Sequence, residues 1–371
     1  MLLAYQKELL GKNIGIVFGS FAPLHQGHLD LIMRAKKEND GGCIVIVCGY
    51  ENDKGEPLMH HQKRYQYVRE FFDDDDLVAV YAINDTELGI AMYPNGWEKW
   101  LEEFNKIWDI AVENKTANRN WYVGEQDYCE GLTTRGENAI LIDRTENLIS
   151  ATMIRQNPIK YWDKITYPFR RIFSTNILIV GTASEGKTEM TKDLGKYFNA
   201  PYSWEWARDY IKEKCLADWE FESTDFMAFL EGQHNLNQKL ISSTANNGVF
   251  FADSDAMITR MYAEQYANEE SCALTKEEFE IIAVAADEYA RKSRWDKIYL
   301  LCPKGVFVDD HSRFMIHSGM EERQKLFEIL CNNIQRIGDW DKVEILDGGY
   351  WKNFEKIVKD VKEIIENGKN S

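Results

Sequence analysis

Two stretches in the first half of the chain combine residue types that handle phosphate. The run His25-Gln26-Gly27-His28 follows an apolar segment, Ile14–Phe18, and the linking residues Gly19, Ser20, Phe21, Ala22, Pro23 and Leu24. A helical pattern comes next. Helix starts present backbone N–H groups and the positive end of a dipole, both suited to phosphate. Gly19 lets the backbone approach a ligand closely. Gly27 sets two imidazoles at the helix start, where they can donate hydrogen bonds to developing negative charge. Further on lies Ile149-Ser150-Ala151-Thr152-Met153-Ile154-Arg155. Ser150 suits a helix N-cap, with Thr152 and Arg155 reaching into an anion pocket.

The second half carries a sharper signal. Gly181-Thr182-Ala183-Ser184-Glu185-Gly186-Lys187-Thr188 matches GxxxxGK[ST] in full, between an apolar strand and a helical pattern. In such a loop the backbone N–H groups cradle phosphates, with Gly181, Ser184, Glu185 and Gly186 in the cradle. Lys187 reaches the β and γ oxygens, and Thr188 ligates Mg²⁺. The segment Val249–Asp253 ends an apolar strand in acid, so Asp253 is a metal-side carboxylate candidate, and Asp255 either shares that work or binds substrate. Between them, Trp204-Glu205-Trp206-Ala207-Arg208-Asp209-Tyr210 offers two competing bases for an acceptor hydroxyl, Glu205 and Asp209. Trp204 and Trp206 are candidates to stack on an aromatic base, with Arg208 beside them. Arg313 is a candidate lid arginine over the transferred phosphate.

These residues need elements to hold them. Apolar runs at Ile14–Phe18, Cys43–Cys48, Leu77–Tyr81, Trp121–Val123 and Ala139–Ile142 alternate with helical patterns. That alternation predicts a parallel sheet of βαβ units. The pattern restarts at Ile177–Val180 and continues with Val249–Ala252, Ile298–Leu301 and Val343–Leu346. Phe354, Ile357, Val358, Val361, Ile364 and Ile365 then fall at helical spacing, as in an amphipathic closing helix. The fold expected is α/β with two parallel-sheet domains, spanning residues 1–168 and 169–371. Gln156–Asn176 reads as the linker, with aromatic residues docked on one domain.

The bulk numbers exclude other classes. The 371 residues suit two or three domains at ~150 residues each. Hydrophobic residues at 44% and charged residues at 28% exclude disorder. Against Lys+Arg 44, Asp+Glu 61 leaves a net charge of −17, which disfavours broad nucleic-acid binding. No apolar run approaches the ~20 residues that span a bilayer, and the first residues lack a signal-peptide core. Seven scattered cysteines without a CxxC pair indicate neither disulfides nor a zinc knuckle. The expectation is a cytoplasmic protein without membrane contact. A homo-oligomer is compatible with everything above.

His25-x-Gly27-His28 and Ile149-Ser150-x-Thr152-x-x-Arg155, one α/β domain apart, resemble the two signatures of the nucleotidyltransferase superfamily. The resemblance implies a Rossmann-like domain in which His25 and His28 hold a nucleoside triphosphate and stabilise the transition state. It implies that Ser150, Thr152 and Arg155 bind its phosphates. With the P-loop half, and with Tyr93-Pro94-Asn95-Gly96-Trp97, Ser150–Pro158, Trp204–Tyr210 and Val308–Arg313, nearly the whole chain is similar to the NadR family. That family fuses nicotinamide mononucleotide adenylyltransferase to ribosylnicotinamide kinase. The resemblance implies ATP and Mg²⁺ as cofactors. It implies nicotinamide riboside, nicotinamide mononucleotide and NAD as small-molecule partners, and a substrate-binding part for Trp97. Some family members begin with a helix-turn-helix domain. Here the first strand starts near Ile14, so no direct DNA binding is expected. Two other readings share parts of the pattern: a coenzyme A synthase-like fusion, and a NAD-sensing transcriptional regulator.

Overall fold

The computed structural model describes residues 6–49, 59–142, 149–304 and 319–367. The chain divides into two compact units, the first running to Ile172 and the second from Phe173.

In the first unit five strands form one parallel sheet: β1 (Asn13–Gly19), β2 (Cys43–Cys48), β3 (Val78–Ile83), β4 (Asn118–Val123) and β5 (Asn138–Leu141). Their order is β3-β2-β1-β4-β5. The chain reverses its direction of winding between β1 and β4, which is where open α/β sheets bind ligands. Register shows how the crevice opens. β1 pairs with β2 as far as Gly19↔Val47, but its ladder with β4 stops at Ile16↔Trp121. The last residues of β1 therefore line a gap.

Helices α1 (Gln26–Glu38), α2 (His61–Phe71), α3 (Trp97–Ala111) and α4 (Gln126–Thr133) pack on the sheet, and the short α5 (Ala151–Gln156) and α6 (Tyr167–Phe173) follow β5. On α3, Trp97, Trp100, Phe104, Trp108 and Ala111 fall at steps of three and four and are all buried. Phe104 packs on Trp121 of β4 with ring centroids 4.5 Å apart. The expected linker is largely ordered. Trp162 and Phe169 are buried, and Phe169 meets Tyr67 of α2 edge to face at 5.3 Å.

The second unit has a parallel sheet of β6 (Thr175–Gly181), β7 (Tyr202–Ser203), β8 (Val249–Asp253), β9 (Lys297–Leu301) and β10 (Val343–Leu346), in the order β10-β9-β6-β8-β7. The two-residue β7 leaves no apolar run for the sequence to show. The helices are α7 (Lys187–Phe198), α8 (Trp206–Lys214), α9 (Ser223–Ile241), α10 (Ala256–Tyr266), α11 (Lys276–Lys292), α12 (Met320–Ile337) and α13 (Tyr350–Asn367). Strand side chains alternate between two cores, as a pleated sheet requires. Leu178, Val180, Phe250 and Leu300 pack with residues of α9 to α12. Ile177, Ile179, Phe251 and Tyr299 pack with Ile357 and Val361 of α13.

Candidate active sites

In the first unit the segment from Gly19 to His28 sits at the C-terminal end of β1. Phe21 is buried with a left-handed backbone, φ 48°, and its ring lies 3.5 Å from where a side chain on Gly19 would begin. A larger residue at position 19 would meet that ring. His25 is the N-cap of α1 and gives the helix no side-chain cap, while its carbonyl accepts from the N–H of His28 (2.8 Å). The His25 and His28 rings stack with centroids 3.8 Å apart, and Phe21 meets His28 edge on at 5.0 Å. The spacing therefore delivers a paired imidazole surface at a helix start.

The second signature arrives at the same loop. Arg155 Nη1 donates to the carbonyl of Ala22 (2.6 Å), and Nη2 donates to Thr152 Oγ1 (3.2 Å). Ser150 Oγ accepts from the N–H of Met153 (3.2 Å) and caps α5. Thr166 Oγ1 donates to the carbonyl of Leu24 (3.1 Å), so residues beyond α5 also hold the loop.

Two features of this unit go beyond the sequence expectation, which named Trp97 but not its surroundings. Arg64 of α2 is fully buried. Its guanidinium donates to the carbonyls of Ser20, Gly49, Cys48 (2.8 Å) and Met59 (2.7 Å). It ties the ends of β1 and β2 to the start of α2. Nearby, Asp85 accepts from the N–H of Gly49 (2.7 Å), and burial raises its carboxyl above the usual range. The second feature is an aromatic pocket lined by Phe18, Tyr93, Trp97, Trp100 and Tyr128. Phe18, beyond the last β1–β4 pair at Ile16, lies 5.2 Å from Trp100 and 5.5 Å from Tyr128, ring to ring. Gly131 of α4 gives Trp97 its place, because a side chain there would begin 2.8 Å from Trp97 Nε1.

In the second unit the P-loop turns on three residues with positive φ: Gly181 (154°), Ser184 (65°) and Gly186 (78°). Lys187 is buried and donates to the carbonyl of Thr182 (2.7 Å). Thr188 Oγ1 donates to Asp253 Oδ2 (2.5 Å). Asp253 is buried as the last residue of β8. Desolvation raises its carboxyl above the usual range, against the pull of Lys187. Its Oδ1 is buried without a hydrogen-bond partner among the described residues. Glu185 does more than shape the loop. Its Oε1 accepts from Arg323 Nη1 of α12 (2.7 Å), and its Oε2 accepts from the N–H of Lys304 (3.2 Å). Arg323 escaped the sequence reading.

Beside the P-loop lies a cavity of about 440 Å³. Glu205, Arg208, Lys212, Gln233 and Ser254 give it polar walls, and Phe226, Phe229, Tyr262 and Tyr266 give it apolar ones. Register places Glu205 there: Ser203↔Ala252 pairs β7 with β8, so the residues after Ser203 run alongside Asp253. Ser254 keeps a φ of 100°, a conformation unusual for a serine and concentrated where function requires it.

The cavity sorts the remaining candidates. Glu205 lines it, with Oε2 accepting from Arg208 Nε (2.8 Å). Asp209 accepts from Trp204 Nε1 (2.7 Å) and is not part of the lining. Trp204 is 41% exposed. Trp206 packs on α9, where a side chain on Gly232 would begin 2.4 Å from its ring, and is no wall of the cavity. Asp255 is not part of the lining either. It caps α10 by accepting from the N–H of Met257 (2.9 Å), and it accepts from Trp295 Nε1 (3.2 Å). Burial pushes its carboxyl up to about 6. As a buried cap it turns its oxygens to Met257 and Trp295 and does not line the cavity. Arg313 lies outside the described residues.

A nucleotidyltransferase-type unit with paired histidines, followed by a P-loop kinase-type unit with a cavity beside Glu205, is the class that fold and sites define. A cytidylyltransferase-like family model matches residues 16–157, and an AAA domain model matches residues 176–349. The "Trifunctional NAD biosynthesis/regulator protein NadR" of Salmonella typhimurium is 28% identical over 368 residues, covering 95% of this chain and 84% of the relative. The protein of the same name from Escherichia coli is 26% identical over 366 residues, with the same coverage of both. A crystal structure of NadR protein in complex with NR superposes with a TM-score of 0.80 at 32% identity, covering 95% of this chain and 97% of that one. Another, in complex with NAD and AMP-PNP, gives 0.78 at 33% with the same coverage. The chain belongs to the NadR family.

Proposed function

We propose that the second unit phosphorylates the 5′-hydroxyl of nicotinamide riboside with ATP, giving nicotinamide mononucleotide. The first unit then joins AMP from a second ATP to that mononucleotide, giving NAD and releasing pyrophosphate. One observation carries this reading. The likeness to NadR structures that hold NR, NAD and AMP-PNP runs through both units, and each unit presents its own phosphate-binding loop at the end of a parallel sheet.

In the kinase unit the riboside lies in the cavity beside the P-loop, its hydroxyl at Glu205. The carboxylate accepts the hydroxyl proton as the oxygen attacks the γ-phosphorus and ADP leaves. Lys187 turns from the Thr182 carbonyl to the β and γ oxygens. Arg208 orients Glu205 through its 2.8 Å contact. Asp209, held by Trp204, is the weaker candidate for base.

Thr188 and Asp253 suit Mg²⁺. Their oxygens converge at 2.5 Å, and Asp253 has a buried oxygen to spare. Among the described residues no cluster of three His, Cys, Asp or Glu side chains forms. Mg²⁺ is commonly held by one or two carboxylates together with substrate phosphates. When bound, such an ion neutralises charge on the phosphate oxygens.

In the adenylyltransferase unit His25, His28 and the N–H groups at the start of α1 stabilise charge on the α-phosphate in flight. Arg155 and Thr152 bind the phosphates that leave, and Ser150 holds their helix in register. The nicotinamide ring stacks in the aromatic pocket with Trp97. No covalent enzyme intermediate is needed, so positioning and charge stabilisation supply the rate.

The test supplies ATP and Mg²⁺ with nicotinamide riboside, and separately with dephospho-coenzyme A. Formation of nicotinamide mononucleotide and then NAD is expected. Phosphorylation of dephospho-coenzyme A alone would overturn the assignment in favour of a coenzyme A synthase-like fusion. We also assign the chain to the reducing cytoplasm, a setting its seven free thiols suit. No helix among the described residues is long and apolar enough to cross a membrane. We further propose that the chain does not bind DNA directly, which its net charge of −17 supports. Tight, sequence-specific retardation of a DNA fragment at physiological salt would contradict this.

A further inference from the structure

We propose that Gln233 is a positioning residue for phosphoryl transfer, clamping the two peptide groups that flank Glu205. The inference rests on the reading of Glu205 as the base, and deepens it. Gln233 lies on α9, is 4% exposed and borders the acceptor cavity beside Glu205. Its Oε1 accepts from the N–H of Trp206 (2.8 Å), and its Nε2 donates to the carbonyl of Trp204 (3.1 Å). One side-chain amide thus serves the peptide group on each side of Glu205.

The chemistry allows a single orientation of that amide. Turned over, its NH₂ would face the Trp206 N–H and its oxygen would face the Trp204 carbonyl, and neither pair can bond. Asn237, buried one turn along α9, adds a third constraint by accepting from Nε2 (3.2 Å). The clamp also serves the helix that follows. Glu205 is the N-cap of α8 and provides no side-chain cap, so the Trp206 N–H needs an outside acceptor. Gly232, next to Gln233, lets the Trp206 ring lie directly on α9. The backbone of the candidate base is therefore held from the neighbouring helix. That leaves the Glu205 side chain to be set by Arg208 (2.8 Å). A displacement of ~1 Å in a catalytic group costs on the order of 10²-fold in rate.

The test is a double-mutant cycle on the full chain with Gln233→Met, Gln233→Glu and Glu205→Gln. The readouts are kcat and KM for nicotinamide riboside phosphorylation, KM for ATP, adenylyl transfer, and thermal melting. Gln233→Met is expected to lower kinase kcat by roughly 10- to 100-fold. KM for ATP should stay within about twofold, and adenylyl transfer should be unchanged. Gln233→Glu keeps the acceptor for Trp206 and should fall between wild type and Gln233→Met. It also serves the cycle if the methionine variant does not fold. In the Glu205→Gln background either change at Gln233 should cost nothing further, because the clamp acts only through that carboxylate. Losses that multiply in the double variant would overturn the proposal, as would a kcat within twofold of wild type for Gln233→Met. Undiminished phosphorylation by Glu205→Gln alone would instead overturn the reading of Glu205 as base.

Discussion

Replacing Glu185 with Gln isolates the contribution of the ion pair that anchors the P-loop to α12. Glu185 Oε1 and Arg323 Nη1 are 2.7 Å apart, with side chains 5% and 3% exposed. At an effective dielectric of ~20, charges at that distance attract by about 6 kcal/mol. Desolvation of both groups consumes much of this, so the pair as a whole contributes little net stability. Removing one partner is different, because the other charge stays buried. Glu185→Gln should therefore destabilise the second unit by about 3–5 kcal/mol. The double change Glu185→Gln with Arg323→Met should recover most of that loss. Urea unfolding followed by tryptophan fluorescence reads the stability. Phosphorylation kinetics read the loop, and KM for ATP should rise in the single variant. A single-variant cost below ~1 kcal/mol would refute the reasoning. So would a double variant less stable than Glu185→Gln.

The two chemistries should separate cleanly. Lys187→Ala should lower riboside phosphorylation by at least ~10³-fold and leave adenylyl transfer intact, whereas His28→Ala should lower NAD formation from the mononucleotide by about 10²-fold and spare the kinase; loss of both activities in either folded variant would contradict two independent sites. Asp255 provides a pH test. Its folded carboxyl titrates at about 6, against 3.8 for a free one. The folded state therefore binds its proton more tightly than the unfolded state. That stabilisation is complete below pH ~3.8 and is lost as pH rises through ~6, about 3 kcal/mol in all. Stability difference curves between wild type and Asp255→Asn should show this slope between pH 4 and 6, and a flat difference would refute it.

The sequence displayed whatever is local. The apolar strands, the P-loop and the histidine pair depend on runs and spacings a few residues long, and each stands where expected. The residues it hid depend on distant partners. Arg64 follows His60, His61, Gln62 and Lys63, a run that reads as a solvated helix face. Only the fold reveals that four carbonyls surround its guanidinium. Gln233 and Arg323 look like ordinary helical polar residues for the same reason. That Glu205 lines the cavity while Asp209 accepts from the Trp204 indole N–H shows only in the fold. The placement of Asp255 turned on a cap and on Trp295, 40 residues away. A strand ending Asp-Ser-Asp gives no sign of which acid meets Thr188 of the P-loop.

The strand order of the second sheet has a consequence for synthesis on the ribosome. β6 carries the P-loop and lies in the middle of its sheet, yet one neighbour, β9, arrives late. The bond from the Asn176 N–H to Asp296 at the foot of β9 spans 120 residues. At ~5–20 residues per second, β6 waits roughly 6–24 s for that partner. Both central strands have one late neighbour, but the first neighbour of β1, β2, follows within a few dozen residues through pairs such as Gly15↔Cys43, whereas the first neighbour of β6, β8, comes only at Thr175↔Val249. During that interval β6 is a bare apolar edge, the kind of strand that pairs with the wrong chain. The nascent second unit is thus the vulnerable half, and chaperone capture should concentrate on chains stalled between β6 and β9.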